Sequence, residues 1–178
     1  MQCLQQGEEA ALGTLMQRWE RPVKRFAFRI VGNATEAEDL AQEVFVRVHA
    51  KRASYRVGAK FSTWCLTIAA NLAKNRLRWW RRRPALSLDA WTEAGGDRAD
   101  ESALGAAASG TAERGERIAE VQAAVAALPL DLRTALVLFE YEGRSMAEIA
   151  AVQGGTPKAV ENRLYRARRQ LQAQLDAV

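Results

Sequence analysis

The chain has 178 residues, 48% of them apolar, enough for one medium domain or for two small ones that would each be marginal alone. Its 26 Lys and Arg against 21 Asp and Glu leave a net charge of +5, but residues 51–83 hold ten cations and no acid while residues 89–120 hold eight acids against three arginines, the footprint of a polyanion partner. Two distant cysteines, a single histidine and no apolar run near the about 18 residues that span a bilayer argue against a disulfide framework, a metal site or membrane insertion, and predict a cytoplasmic protein.

From Glu8 to Val31, apolar residues recur at Leu12, Leu15, Met16, Trp19, Val23, Phe26, Ala27 and Ile30, the spacing of a helix with one wet face. Pro22 interrupts it and predicts a kink or two helices meeting there, and Gly32-Asn33 ends it. Thr35-Glu36-Ala37-Glu38 has the form of a capping box for a second helix running to about Lys51, with Ala37, Leu40, Ala41, Val44, Phe45 and Val48 as its buried stripe. Its wet side is acidic, with Glu36, Asp39 and Glu43 within two turns and Gln42 beside them. Such a face repels nucleic acid, so a partner for it would be a protein.

Residues 52–60 lack periodicity and read as a loop. Ser62 is placed to cap a third helix whose apolar face includes Cys65, Ile68, Ala69 and Leu72, while Trp64, Asn71 and Arg78 recur every seven residues along an adjoining face. Tryptophans mixed with arginines suit unpaired bases, which stack on aromatic faces for roughly 1–3 kcal/mol each. Tyr55, Trp64, Trp79 and Trp80 offer such faces, and the amide of Asn71 can read a base edge. In a small helical domain, tryptophans also serve as core.

Pro84 stops that helix. Residues 84–115, rich in glycine, alanine, serine and acids, read as a flexible linker. Helical periodicity resumes with Ile118, Val121, Val125 and Leu128, breaks at Pro129, and resumes with Leu132, Ala135, Leu136 and Phe139 as far as Gly143. Ser145 with Glu148 forms a further capping box, Gly154-Gly155 a turn, and Thr156-Pro157 the cap and first residue of a last helix. There Val160, Leu164, Ala167 and Leu171 point to the core. Lys158, Glu161, Asn162, Tyr165 and Arg169 share the outward face, with Arg166 and Arg168 on its flanks, the layout of a recognition helix in a helix-turn-helix. The expected fold is all-α: two small helical domains, residues 1–83 and 116–178, joined by the linker.

Three segments, NATEAEDLAQEVFVRVH, FSTWCLTIAANLAKNRLR and LPLDLRTALVLFEYEGRSMAEIAAVQGGTPKAVENRLYRARRQL, resemble in this order the extracytoplasmic-function sigma factors of the sigma-70 family, which carry only sigma regions 2 and 4. The resemblance covers the chain except residues 1–7 and the linker. It implies a factor that binds core RNA polymerase and promoter DNA and is held silent by an anti-sigma factor. It implies polymerase contacts at Asp39, Leu40, Gln42 and Glu43. It implies capture of the single-stranded -10 element by residues 53–60 and by the following helix, through Tyr55, Lys60, Trp64, Asn71, Lys74, Asn75 and Arg78. Duplex -35 contacts fall to Lys158, Glu161, Asn162, Tyr165, Arg166 and Arg169. Many members carry Lys or Arg at the position of Glu161, so their upstream preference does not transfer. No cofactor, metal or catalytic residue is expected, and no enzymatic activity. A stand-alone helix-turn-helix regulator of duplex operators and an RNA-binding adaptor are the alternatives, neither of which uses all three surfaces.

Overall fold

The computed structural model describes residues 1–82 and 112–176, all of it helices, turns and loops with no strand among these residues. The chain divides into two compact units, Met1–Gly96 and Asp97–Val178. Arg83 and most of the expected linker, residues 84–111, lie outside the described residues.

In the first unit, a short helix α1 (Gln2–Gln5) precedes α2 (Ala10–Val31), α3 (Ala34–Ala50), a 3-10 turn (Arg52–Ser54) and α4 (Phe61–Arg82). Helices α2, α3 and α4 pack against one another around Val23, Phe26, Ile30, Leu40, Val44, Val48 and Leu66, all essentially inaccessible to solvent. Of the two expectations at Pro22, a kink or two helices meeting there, the pair of helices does not occur: α2 runs unbroken through it. A proline inside a helix costs about 3 kcal/mol, and burial of Val23, Phe26 and Ile30, worth roughly 1.5–3 kcal/mol each, outweighs it. Gly32 then closes α2 in the left-handed conformation at φ 77°.

The caps of α3 and α4 differ from expectation. Asn33, not Thr35, caps α3: its side-chain oxygen accepts from the Glu36 amide at 2.9 Å. The pattern Asn-x-x-Glu presents the same cap two residues earlier, immediately after the left-handed glycine. Helix α4 already begins at Phe61, and Ser62 is buried in its first turn. The buried face of α4 is Ser62, Cys65, Leu66, Ala69 and Ala73, whereas Ile68 and Leu72 are half-buried. Small residues on that face let α4 approach its neighbours closely.

The second unit comprises α5 (Ala112–Ala127), α6 (Leu130–Leu136) continued by a π-helical turn (Val137–Tyr141), α7 (Met146–Gln153) and α8 (Pro157–Leu175). Helix α5 starts three residues before the expected end of the linker, because Ala112, Glu113, Arg114 and Glu116 are good helix formers that outweigh the about 1 kcal/mol cost of Gly115. Ile118, expected in the core, is exposed, and the burial of α5 begins at Ala124. The π turn was not expected. Within it Val137 and Leu138 are fully buried, and the Glu142 and Arg144 amides donate back to the Val137 and Leu138 carbonyls at 3.2 and 2.9 Å. The Ser145–Glu148 capping box is complete, with both reciprocal bonds formed.

Candidate nucleic-acid interface

In the second unit, the turn before α8 is set by two glycines with positive φ, 76° at Gly154 and 121° at Gly155, a conformation other residues adopt only under strain. Thr156 accepts from the Ala159 amide at 3.2 Å and Pro157 occupies the first helical position. The turn is further tied by Gln153, whose amide donates to the Asp131 carbonyl at 2.9 Å. Helix α8 packs on α6 and α7 through Val160, Leu164 and Ala167, which are buried, while Leu171 is half-buried.

The opposite side of α8 presents every expected residue to solvent: Lys158, Glu161, Asn162, Tyr165, Arg166 and Arg169 are all exposed, Tyr165 by 65%. Glu161 is paired along the helix with Lys158 at 2.8 Å. Arg168 is engaged internally, 2.8 Å from Glu140 with its guanidinium over the Phe139 ring. Arg166 and Arg169 carry no ion pair among the described residues. The helix therefore offers two uncommitted guanidiniums, an amide and a phenol along one face.

In the first unit, Asn71, Lys74, Asn75 and Arg78 are exposed at helical spacing, so the second half of α4 carries a continuous polar and cationic stripe. Trp64 heads the same side, half-buried. Its ring meets Tyr55 edge-on at 5.1 Å and Phe61 at 6.2 Å, and Phe61 in turn meets Trp19 of α2 at 5.7 Å. Tyr55 is a correction: it is buried, its hydroxyl donates to the Ala59 carbonyl, and its ring leans on Trp64 and Phe61. It braces the loop and offers no open stacking face. Lys60 is exposed at the loop's end, directly before α4.

The acidic side of α3 is more structured than its sequence suggests. Arg76 of α4 reaches Glu36 at 2.5 Å and Glu43 at 3.9 Å, Glu43 also meets Arg47 at 3.1 Å, and Lys24 of α2 pairs with Glu38 at 2.8 Å. Asp39 and Gln42 remain exposed without a partner among the described residues. Leu40 is a second correction: it is 2% exposed and belongs to the core, so it cannot meet a partner directly. The exposed stripe of α3 also includes a residue not singled out from the sequence. Val46, 65% exposed, lies four positions after Gln42 and seven after Asp39 and completes their stripe. The signal was present, since Val46 is an apolar residue off the buried periodicity of α3.

Cys65 is buried and its thiol is pushed up to about 12 by loss of hydration, which removes it as a nucleophile at neutral pH. Among the described residues no group of His, Cys, Asp and Glu could hold a metal ion, and no helix is long and apolar enough to cross a membrane.

Residues 15–83 match the family model for sigma-70 region 2, and residues 118–171 match the model for sigma-70 region 4. The chain is 34% identical to the RNA polymerase sigma-H factor of Pseudomonas aeruginosa over 93% of its own length and 86% of that protein. It is 29% identical to the ECF RNA polymerase sigma factor SigW of Bacillus subtilis, covering 97% and 92% of the two chains. Its fold is similar to that of the sigma factor RpoE from Bartonella quintana, solved in complex with the anti-sigma factor NepR, with a TM-score of 0.70, 25% identity and coverage of 92% and 97%.

Proposed function

The chain belongs to the extracytoplasmic-function sigma factors of the sigma-70 family, and from that premise we propose how its surfaces divide the work of initiation. It binds core RNA polymerase, directs the enzyme to particular promoters and helps to open them. The first unit, residues 1–83, takes polymerase on the exposed stripe of α3, with Asp39, Gln42 and Val46 as contacts and Glu43 at the edge. It takes the displaced strand of the -10 element between the loop at residues 53–60 and the stripe of Trp64, Asn71, Lys74, Asn75 and Arg78. The second unit reads the -35 duplex with α8: Lys158, Glu161, Asn162 and Tyr165 towards base edges, Arg166 and Arg169 towards phosphates. Residues between the two units connect them.

One observation carries this reading. The exposed stripes differ in chemistry: α8 suits a duplex, α4 adds the half-buried ring of Trp64 beside amides and cations suited to an unpaired base, and α3 repels nucleic acid altogether. A duplex-only regulator leaves two of them without a role. The chain performs no covalent chemistry in this scheme, works in the cytoplasm beside the polymerase, and is restrained by an anti-sigma factor, as the partner of the similar RpoE structure suggests.

Run-off transcription with purified core polymerase on a randomised promoter pool tests the proposal. New transcripts from selected promoters are expected only when the protein is added. Binding to duplex fragments without any core-dependent transcript would instead identify a stand-alone regulator.

A further inference from the structure

The amino-terminal residues lie outside both matched family segments, yet they hold the loop between α3 and α4. The Gln5 side-chain amide donates at 2.8 Å to the Arg52 carbonyl and at 2.8 Å to the Tyr55 carbonyl. Arg52 opens the 3-10 turn, where its carbonyl also accepts from the Tyr55 amide at 3.2 Å, and Tyr55 lies immediately after the turn, where the chain leaves helical structure. A primary amide has two N–H groups in fixed geometry, so one side chain can satisfy both. Leu4, fully buried, anchors α1 against the unit and aims Gln5 at the turn. A third tie lies next to it, where Glu9 meets His49 at 3.1 Å near the end of α3.

What Gln5 fixes is passed on through Tyr55. The Tyr55 backbone is held from both sides, by Gln5 at its carbonyl and by its own amide donating to Arg52 at 3.2 Å. Its ring is set against Trp64 and its hydroxyl holds the Ala59 carbonyl. Between these points residues 56–59 form a tight excursion, closed by the Ala59 amide on the Arg56 carbonyl at 3.1 Å, with Gly58 at φ 94° and Val57 60% exposed at its tip. We infer that Gln5 is a positioning residue for promoter opening, holding this loop in the shape that receives a displaced base beside Trp64. The inference rests on the reading of that loop as the strand-capturing element. An ordered loop binds without first losing conformational freedom.

The test uses the full chain in holoenzyme with a promoter selected by the wild-type protein from a randomised pool. Gln5→Glu replaces both donors by a carboxylate facing two carbonyls, Gln5→Ala only removes them, and Gln5→Lys supplies an ammonium that can donate to both oxygens. In hydrogen exchange, the amides of Ser54, Tyr55 and Ala59 are expected to lose about tenfold in protection in the Glu and Ala variants, equivalent to about 1.4 kcal/mol. Exchange within α2 stays unchanged, and Lys restores the loop. Permanganate-detected melting is expected to fall in parallel, while core binding and closed-complex formation hold. Unchanged loop exchange in Gln5→Ala overturns the inference at once. A directly altered loop, Arg56→Ala with Val57→Ala, separates the remaining cases. If it abolishes melting while the loosened Gln5 variants melt normally, positioning by Gln5 is wrong and strand capture stands. If the loop variant also melts normally, the strand-capture reading itself fails.

Discussion

Arg76 joins the two working helices of the first unit, and removing it tests whether that junction is energetic or incidental. Arg76→Met keeps most of the apolar stem and deletes the guanidinium, leaving Glu36, whose side chain is only 22% exposed, without its partner at 2.5 Å. A hydrogen bond to a charged group contributes about 1.5–3 kcal/mol when well sheltered, and an exposed pair at most about 1 kcal/mol. With Arg76 30% exposed and the Glu43 contact long at 3.9 Å, a loss of about 1.5 kcal/mol is expected. For a unit of this size that lowers the melting temperature by about 6–12 °C. All five tryptophans lie at or before residue 91, so urea unfolding followed by tryptophan fluorescence reports the amino-terminal half without interference from the second unit. A double-mutant cycle with Glu36→Gln isolates the pair, with an expected coupling near 1 kcal/mol. A coupling below about 0.3 kcal/mol would mean that Arg76 is solvated and that α3 and α4 are held by apolar packing alone.

In the second unit, Arg166→Ala or Arg169→Ala is expected to weaken binding to the upstream duplex and to reduce the slope of log affinity against log salt by about one each. Arg168→Ala should leave that slope unchanged and instead lower stability, because its charge is spent on Glu140. Asn71→Ala is expected to retain closed complexes yet to lose about tenfold in permanganate-detected opening, recovered in part on a pre-melted promoter; wild-type opening on paired DNA would make Asn71 structural. Asp39→Arg and Val46→Asp should each weaken core polymerase binding about tenfold in a folded protein, measured by fluorescence anisotropy, and leave duplex binding by the second unit intact. Iodoacetamide at pH 8 should label Cys3 and spare Cys65 until the chain is unfolded, as counted by intact mass. Because folding raises the Cys65 thiol from its ordinary 9.0 to about 12, its contribution to stability is complete below about pH 9 and is lost as pH rises towards 12.

The helices and their faces were legible because a buried stripe imposes a period, and α3 obeys its own throughout while α8 departs only at half-buried Leu171. The recognition helix could be read to the residue, since its cap, its first proline and its glycine turn are all local signals. Features that depend on contacts between distant segments were not legible. Tyr55 has the composition of a stacking platform, and only its distance from Trp64 and Ala59 shows that it is a brace. Leu40 sits beside exposed Asp39, and its inward direction, implied by its own stripe, conflicts with a docking role. Pro22 reads locally as a break, and tertiary burial overrides it. The hold of Gln5 on the loop spans 47 and 50 residues of sequence, a separation at which no periodicity carries information.

The π turn at Val137–Tyr141 makes this stretch of chain tolerant of a change in residue number. Its backbone closes over five residues, so it takes up one residue more than an α-helical turn in the same rise. Losing the extra residue would let the helix regularise with the residues on either side kept close to their present directions, whereas losing one from a regular α-helix rotates all that follows by about 100°. What a deletion here would remove is the side chain itself: without Phe139 or Glu140, Arg168 loses its ring contact or its ion pair. A one-residue deletion within this turn is therefore expected to disturb the fold less than the same deletion in a regular turn of α6.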